Sequence, residues 1–148
     1  MKTLFIFLYA AAVSFVFAGE KVYSADIRAV SNGKEKTIYA KVNKQKTENK
    51  IMLVVSGLDS GSIEIRSDKF KLGKMPFSSS FQFIIPETSD ITSSSEILSI
   101  NGITGTYSVA GSKTSAQLSG KISRSFADLH LETSGMGKKL TLHITYAE

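Results

Sequence analysis

The chain has 148 residues, no cysteine and a formal net charge of +5. This length fits one domain with a single core. The absence of cysteine excludes disulfides, thiolate metal sites and a cysteine nucleophile. The positive excess is mild and spread over the whole chain, so it favours solubility and does not indicate nucleic-acid binding.

The first residues predict a secretory signal that is not part of the fold. Lys2 supplies a positive start, Leu4 to Phe17 is nearly unbroken apolar sequence, and Ala18 completes the small-residue pattern that a signal peptidase accepts. A membrane anchor is the alternative, but the apolar run is shorter than the ~20 residues that a spanning helix needs. We therefore expect cleavage of residues 1–18, and a mature domain, 19–148, without a membrane span. Its expected location is the bacterial periplasm or the exterior.

The first mature segment predicts a β-hairpin around Asn32-Gly33, the strongest short hairpin turn. Apolar residues alternate on both sides of it, at Tyr23, Ala25, Ile27, Ala29, Ile38, Ala40 and Val42. Centring the turn on Asn32 and Gly33 sets Ser31 opposite Lys34 and Ile27 opposite Ile38. The two apolar sets then share one face, which is what specifies a register.

The following segment, 43–49, is polar and predicts a loop. Ile51 to Val55 is apolar on both faces and predicts a strand that is covered on both sides. Gly57 to Gly61 predicts a turn, after which Ile63 and Ile65 continue the sheet.

The middle of the chain predicts short strands that keep a period of two, around 70–72 and 81–85. Pro76 and Pro86 cannot donate to a strand ladder, so this region is expected at an edge or rim of the sheet. Two serine runs, 78–80 and 93–95, predict loops. Further short strands are predicted at 97–100, 103–109 and 116–122.

The last stretch predicts a second hairpin, with a turn at Ser134 to Gly137. Apolar residues occupy every second position, at Ala127, Leu129, Leu131, Leu140, Leu142, Ile144 and Tyr146. A tight turn would set Leu131 opposite Leu140 and Asp128 opposite His143. The polar residues then form one solvated face.

These segments amount to about eight to ten short strands with no helix beyond the signal, which predicts an all-β fold. The expected architecture is an antiparallel up-and-down barrel, with a β-sandwich as the alternative. Four tracts, 24–30, 103–111, 118–122 and 139–144, resemble the calycin-like family of small exported bacterial domains, which is distantly similar to the lipocalins. The resemblance implies a barrel and export, and it implies no established activity. The chain has no tryptophan and so lacks the Gly-x-Trp signature of lipocalins.

The candidate chemical groups do not form a recognisable site. His130 and His143 share the polar face with Asp128, which leaves a zinc site short of a dependable ligand set, and ordinary cross-strand pairing is the preferred interpretation. Residues 57–61 lack the helix of a nucleophile elbow, and residues 135–138 join two strands instead of forming a phosphate loop. We therefore expect no enzyme activity, no cofactor and no metal.

The densest basic region runs from Lys34 to Lys50 and contains six lysines. Contact with an anionic surface is the alternative, and a solvated face and loop is the preferred interpretation. Two functions are expected. The first is a binding module that holds a small apolar molecule in the barrel. The second is an envelope or extracellular protein-interaction module with a filled core and no ligand. The interior positions predicted to line a ligand cavity are Tyr23, Ile27, Ile38, Leu53, Ile65, Phe83, Leu129 and Leu142.

Overall fold

The computed structural model describes residues 20–57, 62–86, 91–94, 97–134 and 139–147. The predicted signal, 1–18, lies outside these residues, as does most of the two predicted turns at 57–61 and 134–137. The described residues contain no helix, and therefore no helix long and apolar enough to cross a membrane.

Strands account for most of the described chain, since alternating apolar residues occur throughout it. Their bounds are β1 Lys21–Ser31, β2 Lys34–Lys36, β3 Ile38–Val42, β4 Gln45–Glu48, β5 Lys50–Ser56, β6 Ile63–Ser67, β7 Phe70–Leu72, β8 Ser78–Ile85, β9 Ile91–Ser94, β10 Ile97–Val109, β11 Ser112–Ile122, β12 Phe126–Thr133 and β13 Leu140–Ala147.

Eight of these strands close into an antiparallel barrel. Going around it, β1 is followed by β5, β6, β8, β10, β11, β12 and β13, and β13 pairs back with β1. The order around the barrel is the order along the chain, so the topology is up-and-down. This confirms the predicted barrel over the sandwich, and the architecture is consistent with a calycin or lipocalin-like barrel.

The remaining strands lie beside the barrel. Strands β4, β3 and β7 form a small extension that joins the barrel through the pairing of β7 with β8. Strand β2 pairs with the end of β1, and β9 pairs with the first residues of β10. The extension brings the polar segment after the first hairpin into the sheet.

The core fills the barrel interior because every second residue of each strand points inward. In β1 the pattern is strict: Tyr23, Ala25, Ile27 and Ala29 are buried, and their neighbours up to Arg28 are exposed. Strands β8, β12 and β13 show the same alternation. One continuous apolar cluster results, and it includes side chains from all eight barrel strands.

The first hairpin is confirmed only next to its turn. Asn32 and Gly33 have φ of 50° and 80°, and Ser31 pairs with Lys34 as predicted. The predicted pairing of Ile27 with Ile38 is wrong, because Asn49 occupies the space between them. The backbone carbonyl of Asn49 accepts a hydrogen bond from Ile27 N, and its backbone N–H donates to the Ile38 carbonyl. The side-chain Oδ1 of Asn49 accepts from Ile38 N.

The loop predicted at 43–49 is also wrong, because Gln45–Glu48 is strand β4. A two-residue turn at Asn43 and Lys44, with φ of 52° and 68°, sets Val42 opposite Gln45. Lysine rarely adopts positive φ, so this turn has no clear signal in the sequence.

The region predicted at an edge contains β8. This strand is one of the eight strands of the barrel wall and pairs with both β6 and β10. The reason is that Pro76 and Pro86 flank this strand and do not interrupt it. The serine run at 78–80 belongs to the strand, and Ser79 is buried. Residues 93 and 94 likewise belong to β9.

The two segments predicted at 97–100 and 103–109 are one strand with a bulge between Ile100 and Ile103. In the last hairpin the faces are as predicted, but the pairing differs by two residues. Leu131 pairs with Leu142, and His130, not Asp128, is opposite His143. A shift of two residues keeps every side chain on its face, so alternation does not distinguish the two registers.

Candidate functional site

The predicted ligand-lining residues are all buried and all belong to the apolar core cluster. They are Tyr23, Ile27, Ile38, Leu53, Ile65, Phe83, Leu129 and Leu142, and none is more than 4% exposed. They pack against one another and against their neighbours in that cluster. These side chains form part of the core.

Two core tyrosines, Tyr23 and Tyr146, are bonded to the turn between β11 and β12. The rings of Tyr23 and Tyr146 stack with centroids 3.9 Å apart. Tyr23 donates a hydrogen bond to the Arg124 carbonyl at 2.8 Å, and Tyr146 donates one to the Ser123 carbonyl at 2.7 Å. The two hydroxyls therefore hold the β11–β12 turn, residues 123–125, against the core.

Tyr107 on β10 is a core tyrosine of a different kind. It is 4% exposed, and its ring lies against Phe70, but its hydroxyl makes no well-formed hydrogen bond to a described residue. Burial raises the pKa of Tyr107 above 10.0, and the nearby Ser79 hydroxyl opposes part of that rise.

An open groove of about 750 Å³ lies on the extension formed by β3, β4 and β7. Its lining residues are Tyr39, Ala40, Lys41, Lys46, Thr47, Asp68, Lys69, Phe70, Lys71 and Ser78. The pairings of Tyr39 with Lys71 and of Lys41 with Lys46 bring these residues together across three strands. None of the predicted ligand-lining residues contributes to it.

The groove combines positive charge with apolar surface. Four of its lining residues are lysines and one, Asp68, is acidic. Within the described part of the chain none of these five makes an ion pair. The apolar lining of the groove comes from Tyr39, which is 44% exposed, and from Ala40 and Phe70.

A second cluster lies on the outer face of β12 and β13. The Nε2 atom of His143 is 2.6 Å from Oδ1 of Asp128, and Nε2 of His130 is 3.5 Å from the same oxygen. The two imidazole rings stack with centroids 4.3 Å apart and an interplanar angle of 8°. All three side chains are partly or largely exposed.

Comparison with family models, with curated proteins and with solved structures finds no match for this chain. The predicted calycin-like membership therefore stays a prediction, and function has to be argued from the groove and the outer-face cluster.

The sequence contained only partial signals for these sites. The density of lysines between Lys34 and Lys50 was visible, but the pairing of β3 with β7, which adds Lys69 and Lys71, is not local. For the histidines the shared face was predictable, whereas their direct opposition depends on the register.

Proposed function

We propose that this chain is an exported, non-enzymatic binding protein whose groove on β3, β4 and β7 takes an amphiphilic anion, a molecule with an apolar body and a carboxylate or phosphate head. The observation that carries this proposal is the groove of about 750 Å³ with four lysines and one aspartate in its lining. The proposed ligand and its site differ from the sequence-based prediction, which was a small apolar molecule held in the barrel interior.

Each part of the groove has a matching part in such a ligand. Lysine ammonium groups attract an anionic head, and the methylene stems of Lys41 and Lys71 offer apolar surface beside it. The Tyr39 ring, which is 44% exposed, adds a flat amphipathic surface. None of the four groove lysines makes an ion pair with a carboxylate of a described residue, which leaves their ammonium groups available to an anionic head within that part of the chain.

The binding test uses an environment-sensitive fluorescent fatty acid, a dansyl-labelled undecanoate, titrated into the protein. The double variant Lys46→Glu/Lys71→Glu should weaken binding at least tenfold, because it reverses two charges in the groove. Lys113→Glu/Lys121→Glu, on exposed positions of β11, makes the same change of net charge and should leave the Kd within about twofold.

Tyr39→Ser tests the apolar component, and a severalfold weaker Kd is expected. Equal affinity of the parent and of both groove variants would contradict the proposed site. If the β11 control variant also lost binding, the weaker binding of the groove variant would be due to net charge and not to the groove.

The protein-interaction alternative is favoured by a different observation. Val22 and Ile84 lie on the outside of the barrel and are 53% and 57% exposed. Chemical crosslinking in the native host distinguishes the alternatives, since a protein adduct that disappears in Val22→Lys/Ile84→Lys, but persists in the groove variants, would favour an interaction module.

Export is part of the proposal and has its own test. The charged start, the apolar run and Ala18 before Gly19 support cleavage at that bond. N-terminal sequencing of the protein from the host should begin at or near Gly19. A chain that retains residues 4–17 would contradict export through a cleaved signal.

A further inference from the structure

We propose that Asp128, His130 and His143 form a surface site for one divalent transition-metal ion, with Zn²⁺ as the reference ion. The inference is independent of the groove, which lies on other strands. It rests on the convergence of three ligand atoms, one from each side chain, within 4.8 Å of one another.

The barrel itself places these side chains. His130 and His143 are direct cross-strand partners on β12 and β13, and Asp128 lies two residues before His130 on the same outer face. Side chains at such positions are neighbours by the geometry of the pleat. The arrangement needs no loop, so the backbone on which the ligands stand is part of the barrel.

The chemistry of the three groups suits a transition metal. The sequence alone left a zinc site short of a dependable ligand set, but two imidazole nitrogens and one carboxylate oxygen that converge are sufficient for Zn²⁺ when a water molecule takes the fourth position. Imidazole also suits Cu²⁺ and Ni²⁺, whereas Mg²⁺ and Ca²⁺ prefer sites made of oxygen ligands alone. Selectivity for the first group over the second is therefore expected.

The distances require only side-chain rotation. The Asp128 oxygen is already 2.6 Å and 3.5 Å from the two Nε2 atoms, and a tetrahedral ion with bonds of ~2 Å separates its ligands by about 3.3 Å. The stacked rings have to splay apart to direct both nitrogens at one ion. Their side chains are 51% and 39% exposed, so this rotation disturbs no packed core.

The surroundings allow a cation. Arg28 on β1 lies opposite His143 on β13 in the strand register. Its guanidinium is 2.9 Å from the Glu35 carboxylate, which offsets its charge. Lys121 is opposite Asp128 on β11 and is the other positive neighbour. Because both positive side chains are on the surface, solvent screens their repulsion of the ion.

The test is isothermal titration of untagged, chelator-treated protein with ZnCl₂. One ion per chain is expected, and His130→Ala and His143→Ala should each raise the Kd at least tenfold. Asp128→Asn should raise it severalfold. The matched control is Glu132→Gln, which removes a carboxylate from the same face of β12 and should leave the Kd within about twofold.

Co²⁺ supplies a second measurement, since its visible absorption reports the ligand field directly. The parent should develop a d–d band that is absent from both histidine variants, and a hundredfold excess of Mg²⁺ should not remove it. Circular dichroism checks that each variant is folded. Absence of saturable Zn²⁺ binding, or a Kd that is unchanged in both histidine variants, would overturn the proposal. Equal weakening in Glu132→Gln would also overturn it, by showing that surface charge alone is responsible.

Discussion

At the scale of single residues, Tyr107 differs from the other core tyrosines. Tyr23 and Tyr146 donate to backbone carbonyls, so their burial is compensated by hydrogen bonds. The Tyr107 hydroxyl is buried without a well-formed hydrogen bond to any residue that the structure describes. A buried hydroxyl of this kind lowers stability, because desolvation is not offset.

Tyr107→Phe should therefore leave the unfolding free energy at neutral pH unchanged or raise it by up to ~1 kcal/mol. The parent should also lose stability as the pH rises past 10.0. Burial raises the folded-state pKa, so above 10.0 the unfolded chain releases a proton that the folded chain retains.

Denaturant unfolding of both proteins on either side of pH 10.0 provides the measurement. The alkaline loss should be smaller in Tyr107→Phe than in the parent, and the other tyrosines, present in both, serve as the control. A loss above ~1 kcal/mol at neutral pH would show that the hydroxyl makes a stabilising bond, with Ser79 as its neighbour.

The exposed histidine cluster should contribute little to the stability of the fold when no metal is bound. His143→Ala, measured in the presence of chelator, should cost at most ~1 kcal/mol, because the His143–Asp128 contact is exposed to solvent. Leu142→Ala, one residue earlier and fully buried, should cost ~2 to 5 kcal/mol. Denaturant midpoints of the two variants provide the comparison, and similar losses would place His143 in a structural role.

At the scale of the element, two-residue turns set the short-range pairings: Asn32-Gly33 sets β1 against β2, and Asn43-Lys44 sets β3 against β4. The extension ends in β4, which among the described strands is an edge strand paired only with β3. Lys44 and Lys46 place charge along that edge, which opposes pairing with another chain. The same lysine-rich hairpin contributes Lys46 to the groove, so one element serves both solubility and the proposed binding site.

The Asn32-Gly33 turn gives a prediction that isolates backbone conformation. Gly33 has a φ of 80°, and a Cβ built there meets no atom within 4 Å. Gly33→Val should therefore destabilise the protein by about 1–3 kcal/mol through backbone strain alone.

Gly33→Asn is the control, because asparagine accepts positive φ, and it should cost less than Gly33→Val. Thermal unfolding midpoints of the two variants decide the matter. Equal midpoints for parent and Gly33→Val would contradict the turn.

At the scale of the whole molecule, closure of the barrel depends on the contact between β8 and β10. Gly105 lies on β10 next to this contact, and a Cβ there would collide with the Gln82 carbonyl and the Phe83 ring. The strands can approach this closely because residue 105 has no side chain.

Gly105→Ala should therefore destabilise the protein by about 1–3 kcal/mol through overpacking. Thr104→Ala, one residue earlier on the exposed side, should cost within ~0.5 kcal/mol. Urea unfolding of both variants supplies the measurement. Equal stability of Gly105→Ala and the parent would mean that the two strands do not meet at this distance.

The chain's alternation of apolar and polar residues determined the fold class, the inward and outward faces of β1, β12 and β13, and the Asn32-Gly33 turn. These features are local, since a side chain's face follows from its position in the strand. Pairing and register were decided by the tertiary structure. A shift of two residues in the last hairpin buries the same side chains, so alternation alone does not select the observed register, which stacks His130 on His143. The groove likewise depends on the pairing of β3 with β7, where residues about 30 apart meet because Asn49 diverts β3 from β1.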